Sequence, residues 1–189
     1  MSDATFRIAS STEHPRIEAA YAAWGYRGGV TPDDVVYIAE RGGALLGAVR
    51  RTLEHEVTML RGMYIAPAEQ RRGLGSQLLR AFVADLHDVE CYCVPYSHLR
   101  AFYAGEGFAR VADTRMPEFL RERAMAYRAR GLDVLVMRRP SISGMLPPCG
   151  LTRRCSEPRP APMRSFRVVS SSSLRQRALP GAVADLVSR

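Results

Sequence analysis

Residues 65–79, Ile-Ala-Pro-Ala-Glu-Gln-Arg-Arg-Gly-Leu-Gly-Ser-Gln-Leu-Leu, constrain the fold more than any other stretch of this chain. They join the end of an apolar, strand-like run, 57–65, to a helix that begins near Gly73, through a loop with two glycines spaced G-x-G. The first N–H groups of a helix have no partner inside it, and the aligned peptide dipoles place partial positive charge there, so this layout is that of an anion cradle. Gly73 and Gly75 lack a Cβ, which lets the backbone approach a ligand or take up positive φ at low steric cost. Arg71 and Arg72 add charge beside the cradle. Taken alone, a G-x-G that leads into a helix is equally a tight turn.

Two familiar phosphate loops do not fit. The chain contains no lysine, so G-x-x-x-x-G-K-[ST] is excluded, and the third glycine of a G-x-G-x-x-G fingerprint would fall at Leu78. The order apolar strand, x-Pro, x-x-Gln-x-x-Gly-x-Gly, helix is carried here by Ile65, Pro67, Gln70, Gly73 and Gly75. It resembles the coenzyme A pyrophosphate loop of the GNAT superfamily of N-acetyltransferases. A second anchor follows in the order the family shows: a strand at 89–94, the short helix Ser-His-Leu-Arg-Ala-Phe-Tyr at 97–103, then Gly107-Phe108. The likeness extends over roughly 6–139 and is specific between Val57 and Phe108.

The resemblance implies an α/β fold, a GNAT-like mixed β-sheet flanked by helices, with acetyl-CoA as co-substrate and no metal. It further implies that the edge of the fourth strand, at Met63, Tyr64 and Ile65, pairs through its backbone with the pantetheine arm and supplies an N–H to the developing oxyanion. The pyrophosphate would lie on Gln70, Arg71, Arg72, Gly73, Leu74, Gly75 and Ser76. Tyr103 falls where many family members carry the tyrosine that protonates the coenzyme A thiolate, and a phenol is a reasonable acid for a thiolate within hydrogen-bond reach. The alternative is an aromatic residue packed on Phe108. Where some members place a glutamate in the middle of the fourth strand, this chain has Met59 and Arg61. Of the nearest acids, Glu54, Glu56 and Glu90, Glu56 is the best candidate base, against a solvated surface carboxylate or a water chain. Tyr96 stands where the family often has an asparagine, which leaves one side-chain contact to pantetheine in question. Trp24 and Tyr26 either line an acceptor pocket or anchor the core.

Composition sets outer bounds. An apolar fraction of 47% is ordinary for a chain with a real core, and the length suits one domain plus an appendage. No segment approaches the roughly 18 apolar residues of a membrane span, and the N-terminus lacks a signal-like pattern, so a cytoplasmic protein without membrane contact is expected. The net charge of +8 is unevenly placed: 1–139 holds 19 Arg against 17 acids, and 140–189 holds 8 Arg against 2. Nucleic-acid contact is therefore expected only non-specifically, through the tail. Cys91 and Cys93 lie two apart on a strand and share a face, with His87 and His98 flanking them. A metal site from these four does not match the usual zinc spacing, and buried small hydrophobes are the better reading.

The remaining pattern organises the chain. A short strand is expected at 6–8, and a helix opens at 11–14 with apolar Ile17, Ala20, Tyr21 and Trp24 at helical spacing. A hairpin turns at 41–43 between strands 35–39 and 44–52. The helix 73–87 carries Leu74, Leu78, Leu79, Phe82, Val83 and Leu86 as one stripe. An arginine-rich helix is expected at 117–130, ended by Gly131, then a closing strand at 132–137. Domain boundaries follow: 1–139 as the acyltransferase domain and 140–189 as a Pro/Ser/Arg-rich, disordered tail. The leading function is transfer of an acetyl group from acetyl-CoA to a primary amine of a small molecule. The alternatives are a protein N-acetyltransferase and a non-catalytic CoA-binding regulatory module. A homodimer stays open.

Overall fold

The computed structural model describes residues 3–141. The proposed tail beyond Ser141 lies outside the described residues. One mixed sheet of seven strands runs through the fold in the order β1-β2-β3-β4-β5-β7-β6. Its strands are β1 (Thr5–Ile8), β2 (Val35–Arg41), β3 (Ala44–Glu54), β4 (Val57–Ile65), β5 (Cys91–Cys93), β6 (Ala109–Arg110) and β7 (Met137–Arg139), and its helices are α1 (His14–Ala23), α2 (Leu74–Leu86), α3 (Arg100–Ala104) and α4 (Glu118–Ala129). All neighbouring pairs are antiparallel except β4 and β5, which run parallel.

The period-2 alternation of side chains sorts the core into two layers. On one face, Tyr37, Leu60, Met63, Ile65, Cys91, Cys93 and Met137 pack beneath α2 and α3, with Leu78, Leu79, Phe82 and Leu86 of α2 fully covered. Each of those α2 side chains contributes about 1.5–3 kcal/mol by leaving water. On the other face, Ile17 and Tyr21 of α1 meet Val36, Ile38, Ala48 and Tyr64, and Leu120, Ala124 and Tyr127 of α4 meet Met59, Tyr92, Val94 and Val136. The stripe expected on α2 is the one found, with Val83 half-buried at its edge.

Two departures from the sequence-based expectation occur in the C-terminal half. The strand expected at 89–94 is hydrogen-bonded into the sheet only over Cys91–Cys93, and the closing strand expected at 132–137 is Met137–Arg139. Residues 134–137 are still buried, but this stretch meets the residues after β5 irregularly: Ser97 N–H donates to Asp133 O at 2.8 Å and Leu135 N–H to Pro95 O at 3.1 Å. A Tyr96–Val134 bridge links them. The hydrophobic run marks burial, whereas the ladder depends on where β5 stays within reach. Gly131 ends α4 as expected, at φ +80°, with Leu132 N–H donating to Tyr127 O at 3.1 Å.

The break at the centre of the sheet positions the site. β4 and β5 are paired at a single register position, Met59 with Tyr92, near the start of β4. Further along, β4 carries a bulge: Ala48 faces Tyr64 but Arg50 faces Arg61, so Gly62 and Met63 stand opposite Val49 alone. Gly62 takes φ +58° there, and its carbonyl accepts a 2.7 Å hydrogen bond from the buried Tyr21 hydroxyl. A bulge raises local twist and re-aims the strand. Beyond it, Tyr64 and Ile65 remain paired to β3 on one edge and are not paired to β5 on the other.

Candidate functional site

The open edge of β4 forms one wall of a cleft of about 310 Å³, lined by Met63, Tyr64, Ile65, Gln70, Arg71, Gly73, Gly75 and Ser76, with Leu99 and Phe102 opposite. The loop is shaped by its own backbone. Gln70 Nε2 donates to Ile65 O at 3.1 Å, tying the loop to the strand end. Arg71 (φ +61°) and Gly73 (φ +79°) both lie in the left-handed region. Arginine at such a φ is uncommon and has to be held there by its surroundings. Gly73 caps α2, so the N–H groups of the first turn are free of intrahelical partners at the cleft. A Cβ at Gly75 would lie 3.6 Å from both Ile65 and Phe102, two lining residues, so any larger side chain there fills the cleft. Left-handed loop residues, a helix N-terminus and an arginine together suit an anionic group.

Two of the expected cofactor residues do not line the cleft. Leu74 is buried in the core beneath α2, and Arg72 is an exposed side chain lying 3.5 Å from Glu69. Leu99 and Phe102 are lining residues that the loop motif could not reveal, since they approach from α3 and the turn before it. The signal for Phe102 was the aromatic-Tyr pair itself.

Tyr103 is 2% exposed, edge-on to Phe102 at 5.0 Å and to Phe108 at 6.0 Å between ring centroids. It lies behind the lining residues rather than among them. Burial, reinforced by nearby Cys93 and Tyr26, raises its phenol well above the ordinary value, so the hydroxyl stays protonated. Glu56 is in the β3–β4 turn, exposed and at φ +64°, and is not a lining residue of the cleft. Glu54 pairs with Arg61 and Arg123, and Glu90 with Arg138. Tyr96 stacks on His98 at 5.5 Å. Cys91 and Cys93 are both buried in the α2-side core, and burial pushes the Cys91 thiol up to about 12.

Across β4 from the cleft is a polar seam. Arg50 Nη1 donates to Asp34 Oδ2 at 2.7 Å and its Nη2 to the Tyr26 hydroxyl at 3.1 Å, all buried. Trp24 stacks on Tyr64 at 5.9 Å with rings 8° apart, and the Tyr64 hydroxyl donates to Trp24 O at 2.6 Å. The residues after α1 therefore brace the strand that lines the cleft.

An anion cradle beside an opened parallel strand pair is the arrangement that the resemblance to the GNAT superfamily implies. Residues 32–110 match the family model for the acetyltransferase (GNAT) domain. No curated protein matches the chain. Among solved structures, N-acetylglutamate synthase from Neisseria gonorrhoeae, complexed with coenzyme A and N-acetyl-glutamate, is 19% identical with a TM-score of 0.54, over 74% of this chain and 35% of that one. This chain thus spans about a third of that synthase. The ribosomal-protein-S18-alanine N-acetyltransferase from Escherichia coli is 17% identical with a TM-score of 0.53, over 74% of this chain and 94% of that one. An IAA acetyltransferase from Bacillus cereus is 15% identical with a TM-score of 0.50, over 72% and 98%. At these identities the likeness concerns the fold. Among the described residues no helix is long and apolar enough to cross a membrane, and no cluster of His, Cys, Asp or Glu is arranged to hold a metal.

Proposed function

We propose that this protein transfers the acetyl group of acetyl-CoA to a primary amine of a small molecule. The carrying observation is the cleft in which the unpaired edge of β4 meets the loop 70–76 at the N-terminus of α2. A diphosphate suits Arg71 and the backbone of Gly73, Gly75 and Ser76, and an amide-bearing arm suits the backbone of 63–65. Acetyl-CoA supplies the activated thioester. In the balanced reaction a nitrogen–carbonyl bond forms and the carbon–sulfur bond breaks, the amine loses a proton and the sulfur gains one.

Tyr103 is proposed as the holder of the proton for the sulfur. Burial keeps its phenol protonated, and its ring packs edge-on against Phe102, a lining residue of the cleft. Glu56 takes no part in this scheme, its position being remote from the lining residues. A small acceptor is favoured over a protein because the arginines of α4 are already engaged. Arg121 pairs with Glu118, Arg123 with Glu54, and Arg128 with Asp113, which leaves less free charge for an acidic partner.

The test is calorimetric titration of acetyl-CoA into the wild type and Gly75→Glu, with thiol release across a panel of amines. Micromolar binding lost in the variant, and thiol release with at least one amine, are expected. A folded wild type that binds no acetyl-CoA ends this proposal, and binding without release for any amine reduces it to a CoA-binding module.

A further inference from the structure

One hydroxyl behind β4 grips the backbone at the bulge, and through that peptide it acts on the cleft. Tyr21, from α1, is 1% exposed and donates to Gly62 O at 2.7 Å. Gly62 O and the N–H of Met63 belong to one trans peptide unit, in which the two bonds point in nearly opposite directions. A carbonyl held toward α1 therefore turns the Met63 N–H away from α1, to the side on which Met63 lines the cleft. Gly62 and Met63 are the bulged residues, outside the regular register with β3, and they lie past Met59, where β4 pairs with β5. A left-handed glycine at the first bulged position disrupts the ladder there, so the orientation of this peptide is set by what holds its carbonyl.

A buried cation backs that hold. Arg50, which donates to Asp34 at 2.7 Å, also hydrogen-bonds the Tyr21 hydroxyl. A Cβ on Gly62 would lie 3.0 Å from Arg50 Nε and 3.0 Å from the Tyr21 hydroxyl, so both groups are seated against this one residue. Burial raises the Tyr21 phenol well above its ordinary value even with Arg50 beside it, and the hydroxyl keeps its proton and remains a donor. Asp34, Arg50, the Tyr21 hydroxyl, the Gly62 carbonyl and the Met63 N–H thus follow one another as a chain of polar groups. In a low-dielectric interior each link polarises the next, so the far N–H becomes a stronger donor than a peptide whose carbonyl is unbonded.

We infer that Tyr21 is a positioning residue for acetyl transfer: touching neither substrate, it sets the direction and the donor strength of the Met63 N–H that meets the thioester oxygen. This rests on the acetyl-CoA reading above and adds a residue of α1 to its machinery. A donor aimed at the charge that develops on that oxygen acts mainly in the transition state, so its loss falls on turnover and leaves cofactor affinity in place.

The test follows the carbonyl stretch of bound acetyl-CoA, labelled with carbon-13 at the thioester carbon, by infrared difference spectroscopy, with affinity read by calorimetry. Wild type is compared with Tyr21→Phe and with Ile17→Val, which loosens the same buried layer beneath α1 without removing a hydrogen bond. The band is expected to move to higher frequency in Tyr21→Phe and to stay at its wild-type position in Ile17→Val, with acetyl-CoA affinity unchanged in both. With any amine that supports thiol release, kcat should fall about tenfold or more in Tyr21→Phe at constant KM for acetyl-CoA. The near-isosteric 3-fluorotyrosine at position 21, a more acidic phenol and a stronger donor, should move the band to lower frequency, and it decides the matter if Tyr21→Phe does not fold. A band unmoved by either change at position 21, or moved as far by Ile17→Val, overturns the inference. A folded wild type that binds no acetyl-CoA ends the acetyl-CoA proposal and this one with it, whereas binding with an unmoved band ends this one alone.

Discussion

Replacing Gly62 by alanine concentrates two costs at the bulge that opens the sheet. At φ +58° an L-residue meets its own carbonyl, a penalty of about 1–2 kcal/mol. The added Cβ would also lie 3.0 Å from each of Arg50 Nε, the Tyr21 hydroxyl and the Tyr26 hydroxyl. That distance forces neighbours to yield, and Arg50 is held by Asp34 while Tyr21 is fixed by its bond to Gly62 O. Overpacking of this kind costs about 1–3 kcal/mol. The sum is a loss of about 2–5 kcal/mol, read as a fall of roughly 1–2.5 M in the urea midpoint for a slope of about 2 kcal/mol/M. A double-mutant cycle separates the two parts. Tyr21→Phe removes one crowding oxygen, so Gly62→Ala with Tyr21→Phe should lose less than the two single changes added together. Loss under about 1 kcal/mol, or strict additivity in the cycle, would refute the account of Gly62 as a crowded, left-handed pivot.

Tyr103→Phe should lower turnover by about 10²-fold or more with acetyl-CoA affinity unchanged, measured by thiol release and calorimetry; equal turnover would return Tyr103 to the core. Asp34→Ala leaves Arg50 buried without its anion and should cost about 3–5 kcal/mol in urea unfolding, against under about 1 kcal/mol for Glu118→Ala at an exposed pair. Glu54 has burial working against its charge, yet Arg61 and Arg123 outweigh it and hold the carboxyl below the ordinary value of 4.5. A depressed folded pKa gives stability that is present above 4.5 and lost as pH falls through the folded value, so the gap between wild type and Glu54→Gln should be full at pH 7 and shrink below pH 4.5. A gap independent of pH would show that Glu54 acts through packing alone.

Local constraints were legible and tertiary ones were not. Gly73 and Gly75 could be recognised because a strand-to-helix loop makes its demands within a few residues, and the α2 stripe because helical period survives without context. The hairpin glycines Gly42 and Gly43 are both at positive φ, as their place in a two-residue turn requires. The closing strand was misplaced because Val134 and Val136 are buried, and Leu132 partly so, for a reason unrelated to the ladder, namely contact with α4 and the stretch after β5. Arg61 looked only like a departure from a family pattern until α4 brought Arg123 to the same carboxylate, a pairing 69 residues apart in sequence for Arg123 and Glu54. Leu99 became part of the cleft in the same way, through the docking of the turn before α3.

The stack of Trp24 on Tyr64 has a practical outcome. The chain has a single tryptophan, and its ring lies parallel to one carried by a residue of the cleft wall. Its fluorescence therefore comes from one place, one residue away from the strand edge where a ligand would lie. The surroundings of the indole depend on that ring staying put, so a change in its emission on titration with acetyl-CoA would report on the position of Tyr64 without any label.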